Sequence, residues 1–217
     1  GYIKRITAAV SALSDNKTKL NCKVCQLVKL YKNGEPYKMS KRAGDFISAQ
    51  DLLNEVDKDQ IRFMMLNRSN DVELDFDFDK VKEKTKDNPV FYVQYAYARI
   101  NSILRTLNIH LTDKVSLEEK NFLLNEIEEK IIRKIFEWPK VIESASLKFD
   151  LHKIPFYLYE LSTLFHSYWS KGNESKEYKF IENNKIKRKE TLAVINLVAI
   201  VIQNGMRILG VSLPKKM

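Results

Sequence analysis

Cysteine is nearly missing from this chain: Cys22 and Cys25 are the only two among 217 residues. One C-x-x-C without a second pair excludes the four-ligand zinc site that small domains use for support. In a strand the two thiols point to opposite faces, which argues against a disulfide. Both read as reduced residues in or near the core of a cytosolic protein. Histidine is equally scarce, and His110, His152 and His166 fall at no metal-ligating spacing, so they read as surface or rim residues. Long apolar runs are missing too. The longest, "LAVINLVAIVI" over 192–202, is shorter than the roughly 18 residues a bilayer span needs and reads as a buried helix. The first residues lack the charged and apolar regions of a signal peptide. Acid is in deficit, with 28 Asp and Glu against 37 Lys and Arg, a formal charge of +9. That balance favours an anionic partner, nucleic acid first and an acidic membrane second, over a merely solvated basic surface.

What is present suffices for a sizeable core, since 44% of the residues are apolar, and argues against long disorder. "GYIKRITAAVSALSD" reads as a helix and a turn, with no initiator methionine, so the chain is expected to be a piece of a longer protein. "VCQLVKLYK" (24–32) reads as a strand. Asn33-Gly34 follows as a hairpin signal, and Pro36 restricts the return to an edge strand or loop. Ser48 and Asp51 open a helix over 48–56, and a second helix is expected over 59–68. "DVELDFDFD" (71–79) alternates acid and apolar. Asp75, Asp77 and Asp79 are conceivable metal ligands, but a half-buried strand with Leu74, Phe76 and Phe78 inward is the simpler reading.

From Asn88 onward the periodicity is helical. Asn88 is placed as an N-cap with Pro89 at the first helical position, and Val93, Ala96, Ile100, Ile103, Leu104 and Leu107 form one stripe. Ser116 and Glu119 suggest a capping box for a helix whose stripe runs from Phe122 and Leu123 through Ile127, Ile131 and Ile135 to Trp138, bent or ended by Pro139. A helix over 153–170 is expected to stop at Gly172, a polar loop to cover 171–180, and a last helix to run over 189–209 and end at Gly210. The fold class is therefore mainly α, a helical bundle preceded by a small α/β portion.

One loop carries chemistry. In "GEPYKMSKRAGD" (34–45), Lys38-Met39-Ser40-Lys41 matches the signature tetrapeptide of class I aminoacyl-tRNA synthetases, in the expected setting of strand, tight turn, loop and helix N-terminus. Lysines are compact charges suited to phosphate. The Ser40 hydroxyl and loop N–H groups add donors, and Gly34 and Gly44 allow the loop to close and reopen. The resemblance extends over essentially the whole chain. The stretch from Gly34 through "LDFDFDKVKEKTKDNPVFYVQYAYARI", then "LHKIPFYLYELSTLFHSYWSKG" and the terminal "NGMRILGVSLPKKM", resemble arginyl-tRNA synthetases of the bacterial type.

That resemblance implies an organisation. Residues 1–47 would close a Rossmann-type catalytic domain and carry its signature loop. Residues 48–87 would connect, and 88–217 would form the helical anticodon-binding domain. It implies ligation of arginine to tRNA(Arg) with ATP and Mg²⁺ through an arginyl-adenylate, in a cytoplasmic, monomeric enzyme without membrane contact or a metal held by this chain. Lys38 and Lys41 would be catalytic, and Lys38, Met39, Ser40 and Lys41 would bind ATP. The H-x-G-H element and the arginine pocket of the family are not in this sequence, so the chain alone is expected to be inactive.

Tyr92, Tyr95 and Arg99 stand at i, i+3 and i+7 on one helical face. Aromatic rings and a guanidinium suit splayed RNA bases, although tyrosines at this spacing also simply pack between helices with hydroxyls at the rim. The resemblance places Tyr92, Tyr95, Arg99, Tyr157 and Met217 at the anticodon. Tyr97 stands where the family usually has histidine. "KIKRK" (185–189) fits either a phosphate patch or a solvated helix start. A non-catalytic tRNA-binding module with a vestigial basic loop, and a helical scaffold without RNA, are the alternatives.

Overall fold

The computed structural model describes residues 1–37, 47–111 and 123–217. A helix α1 (Tyr2–Leu13) comes first, with no fully buried residue, and turns at Asp15 and Asn16, both at positive φ. Strand β1 (Val28–Lys32) then turns back through Asn33 (φ 53°) and Gly34 (φ 75°) into a short β2 (Glu35–Pro36). Positive φ at both central residues is the twist-matched hairpin turn that Asn-Gly favours. On its other side β1 pairs in parallel with β3 (Leu74–Asp77), giving the order β2-β1-β3, so Pro36 sits on an edge.

The expected strand over 24–32 starts late. Its parallel partner begins at Leu74, whose register mate is Val28, and residues before Val28 have no ladder to join. Cys22 and Cys25 lie in that preceding coil. Both are exposed, not in the core as their sequence surroundings suggest. The coil is tied down through Asn70, whose carbonyl accepts from the Gln26 N–H at 2.9 Å and whose side chain donates to the Val24 carbonyl at 3.0 Å.

Helix α2 (Ala49–Glu55) opens with the expected Ser48–Asp51 capping box. The Ser48 hydroxyl and N–H together hold the Asp51 carboxyl below its ordinary range. Helix α3 (Lys58–Leu66) is capped by Asp57. The alternating acidic segment buries Phe76 and Phe78 as expected. Two of its carboxylates are occupied by the backbone: Asp77 accepts from the Asp79 N–H, and Asp79 accepts from the Asn33 N–H. Phe76, Phe78, Val56 and Val81 form a small core of their own.

The bundle consists of α4 (Pro89–Thr106), α5 (Glu126–Phe136), α6 (Trp138–Lys148), α7 (Lys153–Glu174) and α8 (Lys189–Leu209) around one larger core. Asn88 occupies the N-cap position of α4, but its side chain does not cap the helix. It donates to the carbonyls of Val81 and Glu83, at 2.8 and 2.7 Å, fastening the connector to the bundle. The suggested box at Ser116 and Glu119 lies outside the described residues, as does Phe122. Leu123 is exposed, and α5 instead opens with the box Asn125–Glu128. Pro139 does end α5 as expected, and it also starts α6, where it occupies the first turn.

Helix α7 does not stop at Gly172 but continues to Glu174. A Cβ at Gly172 would meet the Tyr178 carbonyl oxygen at 2.7 Å, so this glycine permits close packing and is not a terminator. The segment expected to be loop contains a 3-10 turn (Lys176–Tyr178), followed by a hairpin of β4 (Ile181–Glu182) and β5 (Lys185–Ile186). Its turn is Asn183-Asn184, both at positive φ. Helix α8 is long and apolar enough by composition to cross a membrane, yet 61% of that stretch is buried inside the protein. Gly210 ends it at φ 68°, with the Val211 N–H bonded to the Met206 carbonyl at 2.9 Å, a left-handed helix stop.

Glu128 is fully buried and ties three bundle elements together. It accepts from Tyr168 Oη and Thr191 Oγ1, each at 2.7 Å, and pairs with Arg188 at 3.2 Å. The carboxylate is therefore both charge-paired and hydrogen-bonded, the condition for a buried charge to be tolerated. Arg188 of the basic run is consumed by this contact and by donation to the Leu123 carbonyl.

Candidate nucleic-acid interface

Lys38, Met39, Ser40 and Lys41, the residues expected to bind phosphate, lie outside the described residues. Their flanks are described and match the expected setting: the β1–β2 hairpin ends at Pro36, and a capped helix begins at Ala49.

The bundle surface is described in full detail along α4. Its buried stripe, including Val93, Ala96 and Ile100, points inward. Residues 95, 99, 102 and 106 therefore line the opposite, outward face at helical spacing. There Tyr95, Arg99, Ser102 and Arg105 border a cleft of about 540 Å³, completed by Trp169 of α7, Ile181 of β4, and Lys216 and Met217 of the C-terminal tail. Among the described residues, three cationic side chains and no acidic one line it. Of the sequence-predicted residues, Tyr95, Arg99 and Met217 are brought together here, although they are far apart in the chain.

The guanidinium of Arg99 is fixed from three sides. It lies 4.3 Å from the Tyr95 ring centre and 5.2 Å from that of Trp169. It donates to the Tyr95 hydroxyl and, at 3.3 Å, meets His166 Nδ1. Arginine always donates, so Nδ1 must accept. The ring proton then sits on Nε2, which donates to the Tyr92 carbonyl at 3.1 Å. The neutral ring fits the electrostatics. Burial above all, and then the Arg99 charge, push His166 down to about 4, against the pull of the Tyr92 carbonyl. His166 is thus a buried residue, not the rim residue its sequence context suggests.

Tyr92 shares the helical face but not the cleft. It is wedged between His166 at 4.3 Å and Tyr159 at 5.2 Å between ring centres, and burial raises its hydroxyl pKa first. Tyr157 is on a different face altogether. It is buried against Trp138 and donates to the Lys134 carbonyl at 2.7 Å, with burial pushing its pKa upward ahead of Glu137 and Glu160. Tyr97, at the histidine position, is buried in the core. Sequence reasoning missed Trp169, Arg105 and Lys216, and misplaced His166 at the rim. Trp169 was findable, since it shares the segment that carried the resemblance, but periodicity alone assigns a tryptophan there to the core.

The tail reaches the cleft because α3 and α4 hold it. Arg62 Nε donates to the Leu209 carbonyl, and Asp59 accepts from the Ser212 N–H at 3.0 Å. Gln94 donates to the Ser212 carbonyl at 3.0 Å and Arg105 to the Lys215 carbonyl at 2.8 Å. The result is a slot of flat π surfaces and N–H donors within a cationic rim, chemistry that suits unpaired nucleic-acid bases and their phosphates. Among the described residues no group of three or more His, Cys, Asp or Glu converges to hold a metal.

Known proteins are similar to this chain in sequence and architecture. The chain is 55% identical over its whole length to an arginine–tRNA ligase of Pelagibacter ubique, and 47% identical to that of Ruegeria pomeroyi. It spans 38% of the length of each. Among solved structures, a Campylobacter jejuni protein described as an arginyl-tRNA synthetase superposes on the entire chain, over 45% of its own length, with TM-score 0.80 at 29% identity. The family model of the DALR anticodon binding domain matches residues 93–217, more than half of the chain and all of the cleft-forming elements, and the chain belongs to that family.

Proposed function

We propose that this chain is the C-terminal part of an arginine–tRNA ligase, a cytoplasmic enzyme that joins arginine to tRNA(Arg) with Mg²⁺-bound ATP through an arginyl-adenylate. Residues 88–217 recognise the anticodon arm. Residues 1–47 close the catalytic domain, and 48–87 link the two. The observation that carries this reading is the cleft in which Tyr95, Arg99, Trp169 and Met217 meet under a cationic rim. Tyr95 and Trp169 supply flat faces, and Arg99, held between them, supplies a plane with donors on its edge. Neither Tyr92 nor Tyr157 lines the cleft: Tyr92 packs behind it against His166, and Tyr157 borders a separate hollow on another face.

In the complete enzyme Lys38 and Lys41 neutralise charge on the departing pyrophosphate, with Ser40 and the backbone at Met39 adding contacts to ATP. Mg²⁺ arrives with ATP as part of the substrate, and the protein acts as a monomer.

Filter binding of the 217-residue chain to a panel of tRNA isoacceptors tests the RNA half. Preferential retention of tRNA(Arg) is expected, and equal retention of all isoacceptors would reject anticodon reading. For the catalytic half, Lys41→Ala in the full-length enzyme is expected to slow ATP–pyrophosphate exchange by about 100-fold, the scale of losing one preorganised charge partner. An unchanged rate would remove Lys41 from the mechanism.

A further inference from the structure

The cleft does not end at Trp169. A second, smaller hollow of about 120 Å³ adjoins it and shares Trp169 and Ile181 as walls. Its far side is formed by Asn173 and Lys179. Trp169 therefore stands as a ridge between two hollows, with Arg105 and Lys216 beyond one side and Lys179 beyond the other.

The β4–β5 hairpin makes this ridge possible. Ile181 pairs with Ile186 and Glu182 with Lys185. The two isoleucines are the less exposed pair and pack against the bundle core, which plants Ile181 beside Trp169. Phe180 is buried and meets Trp169 edge-on at 5.5 Å, fixing the indole plane. Lys179, the residue before it, is exposed. Three of its basic neighbours are already engaged: Lys171 lies over the Tyr178 ring at 4.1 Å, Lys187 donates to the Lys176 carbonyl at 2.5 Å, and Arg188 is bound to Glu128.

A single-stranded RNA that stacks a base near an aromatic ridge must carry its phosphates past both flanks, because successive phosphates bracket each base. We propose that Lys179 and Arg105, whose guanidinium keeps further N–H donors beside the one given to the Lys215 carbonyl, are a pair of backbone clamps, one on each side of Trp169, which grip consecutive phosphates of an unpaired RNA segment crossing the ridge. The pair contributes affinity without base preference, as phosphate contacts do. This rests on the cleft being the RNA-binding site, and it adds the β4–β5 hairpin and the second hollow to that surface.

The test is fluorescence anisotropy of the 217-residue chain with a labelled RNA hairpin carrying an unpaired loop, titrated across a series of salt concentrations. Lys179→Ala and Arg105→Ala are each expected to make the slope of log affinity against log salt shallower by about 0.7, the single-strand value per phosphate contact, equally for loops of different sequence. Lys148→Ala, an exposed helix-end lysine outside both hollows, is expected to leave the slope unchanged. Trp169→Ala serves as the arm for the underlying reading. An unaltered slope in Lys179→Ala, with Trp169→Ala still weakening binding, overturns the clamp and leaves the cleft intact. Unaltered binding in Trp169→Ala as well overturns the cleft itself. A circular dichroism melt of each variant verifies that the fold is retained.

Discussion

At the scale of single residues, His166 decides the geometry of the cleft and also gives it a pH signature. Its ring accepts from Arg99 and donates to the Tyr92 carbonyl, two roles that only the neutral tautomer can combine. Its pKa falls from an ordinary 6.5 to about 4, mainly through burial. Above about pH 6.5 folded and unfolded chains both carry a neutral ring, and pH has no leverage through it. Between about 6.5 and 4 the unfolded chain takes up a proton that the folded chain refuses, so stability falls as pH falls. Below about 4 the loss levels off, at a total on the order of 3 kcal/mol for this shift. His166→Gln keeps a donor and an acceptor but cannot titrate. Urea unfolding midpoints measured from pH 7 to pH 4 should therefore decline less steeply in His166→Gln than in the unsubstituted protein. Parallel declines would show that the ring does not carry the dependence.

At the scale of elements, the sequence and the structure part where a local signal meets a tertiary contact. Ser48–Asp51, Asn33-Gly34 and Gly210 were legible because each acts on its own backbone within a few residues. Gly172 was not. Glycine commonly stops helices, and nothing local reveals that Tyr178 folds back onto this one. Strand β1 was legible in type but not in extent, since its start is set by Leu74, 46 residues along the chain, and Cys25 falls outside it for that reason. The cleft was half legible. Tyr95 and Arg99 follow from one helix's periodicity, whereas Trp169 and Ile181 enter from elements whose orientation only packing decides. Tyr157 illustrates the converse: a tyrosine on the right helix but turned toward Trp138 and the core.

The Gly172 contact yields a prediction at the same scale. Replacing a helical glycine with alanine ordinarily stabilises by up to about 1 kcal/mol. Here the added methyl meets a backbone carbonyl at 2.7 Å, and backbone cannot swing aside as a side-chain end can. Gly172→Ala should therefore lower the melting temperature, with an overpacking cost of about 1–3 kcal/mol. It should also loosen the hairpin that plants Ile181 in the cleft. Calorimetry gives the sign directly, and a raised melting temperature would mean that the Tyr178 approach is not constraining.

At the scale of the whole molecule, the C-terminal tail joins the parts. Its anchor is Ser212, held by Asp59 of α3 and Gln94 of α4, so the segment before the bundle helps to aim the last residues at the cleft. Beyond Ser212 the hold weakens. Lys215, Lys216 and Met217 are exposed, and among the described residues one hydrogen bond, from Arg105 to the Lys215 carbonyl, tethers them. Removing 215–217 thus deletes little that stabilises the fold, about 0.5–1.5 kcal/mol for one hydrogen bond. The same deletion strips a cation and an apolar wall from the cleft. RNA affinity should accordingly fall by about tenfold, the scale of losing a single base-stacking contact, while the melting temperature moves by only a few degrees. Anisotropy with the looped RNA hairpin and a thermal melt on the same truncated protein separate the two quantities. If affinity were retained, Lys216 and Met217 would be bystanders. If stability collapsed, the tail would be a structural strap whose anchor lies beyond Ser212.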